Sequence, residues 1–254
     1  NKKMSDKLEK IGILLKNKWL SDVKIVAESQ STQKDAKLDA QANCLYLTEQ
    51  QTATYGRFGR HYFSAKEGGI YMSLSLFPES APENWPDYTL LTGAAVVSAI
   101  ERLTDKSPQI KWVNDIYLGQ YKIAGILAEA VINTERANQV VIGVGINFNI
   151  SEFPEEIAHR AGSLFQEETP TVSRSALIAE IWSEFHRLYK TRTFFDFYKA
   201  HSFILGKEVE FIQNGTTYSG QALDLTPRGE LIVQLENGEK KILSSGEISL
   251  KKWT

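Results

Sequence analysis

The run from Lys111 to Glu129 places charge where a sheet is normally apolar. Gly119-Gln120 is a Gly-X pair between two extended stretches, the signature of a two-residue hairpin with glycine first. In that register Leu118 faces Tyr121, Tyr117 faces Lys122 and Asp115 faces Ala124. Alternation then puts Lys111, Asp115, Tyr117 and Lys122 on one side of the ribbon. Trp112, Ile116, Ile123 and Leu127 fall on the other. One face reads as core; its reverse carries a carboxylate and two ammonium groups beside small Ala124, which is how the floor of a polar pocket would be built. An exposed pair on a hairpin contributes little, so charge placement alone favours a solvated surface.

The rest of the composition narrows the classes. A chain of 254 residues accommodates one large domain and a small one. The net charge of −2 gives no bulk attraction to nucleic acid, so no nucleic-acid partner is expected. A single cysteine, Cys44, excludes an internal disulfide and fits a reducing compartment, with the cytoplasm as the expected location. No apolar run approaches the ~20 residues that span a bilayer, so no membrane partner is expected. The four histidines are scattered, and no protein-held metal site is expected. No Gly-x-Ser-x-Gly elbow points to a nucleophilic hydrolase.

Periodicity predicts a short helix over 5–17, with Leu8, Ile11, Leu14 and Leu15 on one stripe, and strands over 23–28, 44–48, 70–77 and 139–147. Helices are predicted over 34–41, opening after a Ser/Thr cap, and over 88–103. The apolar stripe of 173–200 reads as a core-facing helix. Past Gly206 the pattern becomes short strands with a turn signal about every ten residues, the mark of a small barrel. The domain boundary is placed near Phe203, giving residues 1–203 and 204–254.

The stretch from Gln50 to Gly69 is long for a compact domain and therefore of functional interest. It holds Tyr55, Gly56, Arg57, Phe58, Gly59, Arg60, His61 and Tyr62. Glycines let backbone N–H groups approach an anion, and arginine grips phosphate or carboxylate in a fork. Gly143-Val144-Gly145 lacks the third glycine and following helix of a dinucleotide fingerprint, leaving close backbone packing or backbone contact with a ligand.

An ordered set of motifs carries a resemblance. It comprises Ser31-Thr32-Gln33, Gln51-Thr52-Ala53, Gly56-Arg57-Phe58-Gly59-Arg60, Gly69-Ile70-Tyr71-Met72-Ser73, Lys111-Trp112-Val113-Asn114-Asp115, Lys122 to Glu129, Gly143 to Asn147, and the tail Gly246-Glu247-Ile248-Ser249-Leu250. The set resembles bacterial biotin–protein ligases from Val26 onward. The resemblance implies an α+β catalytic domain like that of class II aminoacyl-tRNA synthetases and lipoate ligases, followed by an SH3-like barrel. It implies that biotin and Mg-ATP (Mg²⁺ bound with ATP) give biotinyl-5′-adenylate and pyrophosphate. A lysine of a biotin carboxyl carrier domain, the expected partner, then takes the biotinyl group as an amide.

Carried over residue by residue, the resemblance assigns Ser31, Thr32 and Gln51 to the ureido ring of biotin, with Gln33 beside them, and the Ile70-Tyr71 strand to its apolar body. Lys122 stands between biotin carboxylate and α-phosphate, and Arg57 with the Gly56 backbone closes over the phosphate. Asp115 orients Lys122, helps bind Mg²⁺ or meets the carrier lysine. Lys111 is a second cation for the triphosphate. Asn147 meets the adenine, and Lys251 approaches ATP. Tyr55, Arg60, Tyr62 and Asn114 complete the expected ligand-binding set. Three departures stand out: Thr54-Tyr55 replaces the first Gly-Arg of the usual Gly-Arg-Gly-Arg loop, Val113 replaces a proline, and Tyr62 replaces a tryptophan. The segment before Val23 holds one short helix, too little for a helix-turn-helix reader, so operator binding is not expected of the chain as given; Asn1 before Met4 is the kind of start left by processing or recombinant expression, which leaves a removed domain open. Homodimerisation through a sheet edge or the loop is left open. Lipoate or octanoyl transfer, and a biotinyl-adenylate-binding module without catalysis, are the competing readings.

Overall fold

In the computed structural model, residues 6–251 are described. The larger sheet has seven strands in the order β1-β2-β3-β7-β6-β5-β4. They are β1 (Asp22–Ser29), β2 (Cys44–Gln51), β3 (Gly69–Leu76), β4 (Gln109–Lys111), β5 (Asp115–Leu118), β6 (Tyr121–Val131) and β7 (Gln139–Asn147). Among these seven strands β1 and β2 pair in parallel, across α2 (Thr32–Asp39), and the other strand pairings are antiparallel. Ser31 caps α2 by accepting from the Lys34 N–H, so this helix starts two residues earlier than predicted.

Strand alternation divides the sheet into two unlike faces. Ile70, Met72, Leu74, Ile142, Val144, Ile146 and Ile126 belong to the buried core formed with α3 (Tyr88–Leu103) and α4 (Arg174–Thr191). Tyr46, Thr48, Ser73, Ser75, Gly143 and Gly145 lie on the opposite face, which carries polar and small residues. Helix α3 matches its predicted bounds, with Asp87 accepting from the Leu90 N–H as its cap. The predicted 173–200 helix is two helices. α4 ends at Arg192, whose left-handed φ of 56° turns the chain into α5 (Phe194–Ala200). The first helix, α1 (Lys10–Lys16), buries Ile13 but leaves Ile11 and Leu15 exposed; the predicted stripe is therefore rotated, and the start of that prediction lies outside the described residues.

The C-terminal strands β8 (Glu208–Gln213), β9 (Thr216–Leu225), β10 (Leu231–Leu235), β11 (Lys240–Leu243) and β12 (Ser249–Leu250) form a five-stranded antiparallel sheet ordered β11-β10-β9-β8-β12. Val209, Phe211, Ala222, Leu231, Val233 and Ile248 are its buried residues. This is the α+β fold with a small SH3-like C-terminal unit that the sequence predicts.

One turn ties these parts to the charged hairpin. Trp112-Val113-Asn114 joins β4 to β5, so Val113 lies in a turn and not in the strand predicted for it. Trp112 Nε1 donates to the Gly229 carbonyl (2.9 Å), and the Tyr198 hydroxyl donates to the Val113 carbonyl (2.7 Å). Asn114 Nδ2 donates to the Ile126 carbonyl (2.9 Å) while its own carbonyl accepts from the Ile126 N–H (2.9 Å). The β9–β10 turn, α5 and β6 thus each hold one residue of the turn that sets Lys111 and Asp115.

Candidate active site

A cleft of about 790 Å³ opens on the polar face of the sheet. Glycines make its floor. A Cβ on Gly143 would stand 2.6 Å from Gln33 Oε1, and one on Gly145 2.9 Å from Tyr62 Cε1. Of the two meanings the sequence left open for Gly143-x-Gly145, close packing of side chains over bare backbone is the one the structure displays.

At one end sits a polar wall. Ser31, Thr32, Gln33 and Ser73 are buried. Gln51 Oε1 accepts from the Thr32 N–H (2.9 Å) and lies 3.2 Å from Thr32 Oγ1. Thr32 Oγ1 is also 2.8 Å from Ser73 Oγ, which donates to Gln33 Oε1 at 2.6 Å. Gln33 Nε2 donates to Glu129 Oε1 (2.9 Å). The five hydrogen-bonding residues of the wall come from β2, β3, β6 and the N-terminus of α2, elements far apart in sequence.

At the other end sits the charge. Lys122 Nζ pairs with Asp115 Oδ1 at 2.9 Å, with the side chains 31% and 24% exposed. The predicted neighbourhood is confirmed, but its register is corrected. Tyr117 pairs with Lys122 and then Ile116 with Ala124, so a β-bulge absorbs Ile123 and Asp115 faces Gly125. A bulge reverses the alternation beyond it. Ala124 joins the core, Gly125 comes to the cleft, and Leu127 lines the cleft instead of the core side. Tyr117 is buried, its hydroxyl pushed up to about 12 by burial with the Asp115 charge adding to it. The Lys122 backbone is clamped to 157–162, its N–H donating to Arg160 O (2.8 Å) and its carbonyl accepting from the Gly162 N–H (2.9 Å). Burial lowers the Lys111 ammonium below its ordinary value, opposed by Asp115 and assisted by Lys122. The Asp115 and Glu247 charges offset this burial in part, and an arriving anion would offset it further.

The loop after β2 folds over the cleft, with a single 3₁₀ turn at Arg57–Gly59. The Gly56 N–H donates to Arg60 O (2.7 Å), closing the turn that presents Arg57. Arg57 donates to the Gly246 carbonyl (3.0 Å), and Arg60 pairs with Glu247, so the C-terminal tail forms part of the cleft wall. Tyr62 lies across Gly125 and Gly145, its hydroxyl donating to Gly145 O (3.2 Å), with Lys122 Nζ 5.6 Å from the ring centre. Tyr55 donates to Glu129 (2.9 Å) and accepts from Lys37 (3.2 Å), while Lys37 also pairs with Glu129 at 3.0 Å. The hydroxyl at this departure from the usual loop thus joins an ion pair on the sheet.

Not every expected residue enters the cleft. Ile70 points into the helix-side core. Tyr71 is capped by the loop, its hydroxyl accepting from the Ala65 N–H (2.7 Å). Ser73 of the same strand lines the cleft instead, while Met72 packs with Ile70 in the helix-side core. Lys251 is exposed, its N–H donating to Glu208 O, and the tail reaches the cleft through Glu247, Ile248 and Ser249. Asn114 and Asn147 line the cleft, but both spend amide hydrogens on carbonyls, Asn147 on Gly162 O (3.1 Å). Ser73, Glu129 and Arg160 lie outside the site residues expected from the sequence. Ser73 and Glu129 fall within the motifs that carry the resemblance, whereas no sequence pattern marks Arg160.

Residues 23–147 match the Biotin/lipoate A/B protein ligase family, and 204–251 match the Biotin protein ligase C terminal domain. The bifunctional ligase/repressor BirA of Bacillus subtilis is 33% identical over 227 residues, covering 85% of this chain and 70% of that one. The chain belongs to the biotin/lipoate protein ligase family. Within that family, the biotin--[acetyl-CoA-carboxylase] ligase of Mycobacterium tuberculosis is 26% identical over 88% of this chain and 87% of its own. The biotin protein ligase of Aquifex aeolicus, solved in complex with biotin and ATP, superposes with a TM-score of 0.75 at 28% identity, covering 92% of this chain and all of that one. Among the described residues, no helix is long and apolar enough to cross a membrane.

Proposed function

We infer that the chain is an ATP-dependent biotin–protein ligase whose chemistry runs along this cleft from the polar wall to the charged hairpin. A biotin carboxylate oxygen attacks the α-phosphorus of ATP, the bond to the β-phosphate breaks and pyrophosphate leaves. The carrier-domain lysine amine then attacks the acyl carbon, and AMP leaves as the amide forms. Adenylation presses two anions together, so a site must neutralise charge, align the oxygen and exclude water.

The observation that carries this reading is the separation within one cleft of a neutral hydrogen-bonding end from an end with Lys122, Lys111 and Arg57. A ureido ring needs the former, and a carboxylate meeting a phosphate needs the latter. Lys122 is assigned to the carboxylate and α-phosphate, with Asp115, 2.9 Å away, holding its ammonium in place. Arg57 is assigned to the phosphate, exchanging the Gly246 carbonyl for it, and Tyr62 covers the ligand from the loop side. Thr32 and Gln51 are assigned to the ureido ring. Mg²⁺ enters with ATP as part of the substrate. It typically takes one or two carboxylates plus substrate phosphates, and Asp115 is placed to serve; among the described residues no group of three or more His, Cys, Asp or Glu is arranged around a metal.

The test is ATP–pyrophosphate exchange with biotin or lipoate as the acid. Exchange supported by biotin and not by lipoate is expected. Exchange supported by lipoate alone assigns the cleft to the other branch of the family, and exchange with neither contradicts an adenylating enzyme.

A further inference from the structure

We propose that Ser73 and Gln33 are positioning residues that fix the direction of hydrogen bonding in the polar wall and thereby select a ligand presenting an N–H. The proposal rests on the biotin reading above and concerns which residues create the preference.

Glu129 anchors the chain of hydrogen bonds. Its carboxylate is held by Lys37, Tyr55 and Gln33 and has only acceptors to offer. Gln33 must therefore turn its Nε2 toward Glu129, and the carbonyls of Leu127 and Val141, each 3.4 Å from Nε2, enforce the same orientation. Gln33 Oε1 is left facing Ser73. An amide oxygen only accepts, so Ser73 gives its single proton to Gln33 at 2.6 Å. Ser73 Oγ has no proton left for Thr32, and the single Thr32 hydroxyl proton has two acceptors in reach, so it goes to Ser73 Oγ at 2.8 Å in preference to Gln51 Oε1 at 3.2 Å.

Thr32 has then spent its own proton. Its Oγ1 and Gln51 Oε1 stand 3.2 Å apart. Gln51 cannot turn its nitrogen inward, because its oxygen accepts from the Thr32 N–H at 2.9 Å. Two acceptor oxygens thus face each other with no proton between them, at a wall of the cleft. A ligand N–H satisfies both, and a ligand oxygen or sulfur satisfies neither. Gln33, 6% exposed and engaged through both ends of its amide, acts through Ser73 and not by touching the ligand.

Without Ser73 Oγ, the Thr32 proton is free to swing to Gln51 Oε1 and fill the acceptor pair. The test is calorimetric binding of biotin and of the analogue methylated on one ureido nitrogen, each N-methyl isomer in turn, to the wild type, Ser73→Ala and Gln33→Leu. The clash of the methyl group is common to all three proteins, so the biotin-to-analogue affinity ratio isolates the hydrogen bond. Denying a buried acceptor its donor typically costs about 5- to 150-fold. The ratio for one isomer is expected to fall about tenfold or more in both variants, and Ser73→Thr, which keeps the hydroxyl, restores it. A ratio unchanged in Ser73→Ala and Gln33→Leu while biotin binds the wild type overturns the relay and leaves the biotin reading standing. A wild type that binds no biotin overturns both. A merely structural role for Ser73 would lower both affinities together and leave the ratio fixed, which also overturns the relay.

Discussion

Replacing Lys122 by alanine separates a chemical role from a structural one, because the structure assigns very different magnitudes to the two. The ammonium is 2.9 Å from Asp115, but both side chains are partly exposed. Such a pair is worth about 0–1 kcal/mol to folding. In a protein of this size ~1 kcal/mol moves the melting temperature by about 2–4 °C. The backbone of Lys122, not its side chain, carries the pairing to Arg160 and Gly162, so that clamp survives the substitution. By contrast, a preorganised donor on the charge developing at a reacting centre is worth about 2.7–4 kcal/mol, or ~10²–10³ in rate. Lys122→Ala should therefore lose two to three orders of magnitude in biotin-dependent pyrophosphate exchange while unfolding cooperatively within a few degrees of the wild type. Exchange within about tenfold of wild type would refute the assignment of Lys122 to the phosphoryl centre. Loss of cooperative unfolding in calorimetry would show instead that the residue is structural.

Two further outcomes follow from contacts around the cleft. Gly145→Ala sets a Cβ 2.9 Å from Tyr62 Cε1 and 3.0 Å from its hydroxyl, which displaces the ring from the floor. A loss of about 1–3 kcal/mol in denaturant unfolding is expected, typical of overpacking, and unchanged stability would mean that Tyr62 does not seat there. Glu129 is pushed up by burial but pulled further down by hydrogen bonds from Gln33, Lys37 and Tyr55, so its folded pKa lies below the ordinary 4.5. Its ionised form is the one the fold stabilises. The melting-temperature gap between wild type and Glu129→Gln should be full above pH 4.5 and close as the pH falls through the lower folded value. A gap that widens on acidification would contradict the network.

Much of this architecture was legible because periodicity and packing agree. The apolar run of α3 and the strand β7 end where the pattern ends, since both are buried and each residue there answers to the core. The charged hairpin was legible as a pair, Asp115 with Lys122, but not in register. Alternation carries no trace of a bulge, and one extra residue at Ile123 exchanges Ala124 for Gly125 at the cleft. The break between α4 and α5 escaped because Arg192 adopts a left-handed conformation that glycine or asparagine would have announced. Tyr71 lies on the strand face opposite Ile70, but it is covered by Ala65 of a loop whose path no local pattern encodes. Ser31, Thr32 and Gln51 came together as the motif resemblance implies. Their wiring through Ser73 and Gln33 depends on strands that meet only in three dimensions.

The most direct measurement is a crystal structure of the protein soaked with biotin and ATP. A biotinyl adenylate is expected to lie along the cleft, its ureido ring against Thr32 and Gln51 and its phosphate between Lys122 and Arg57, with Arg57 released from Gly246. A ligand bound in the reverse direction, or a phosphate out of reach of Lys122, would contradict that expectation.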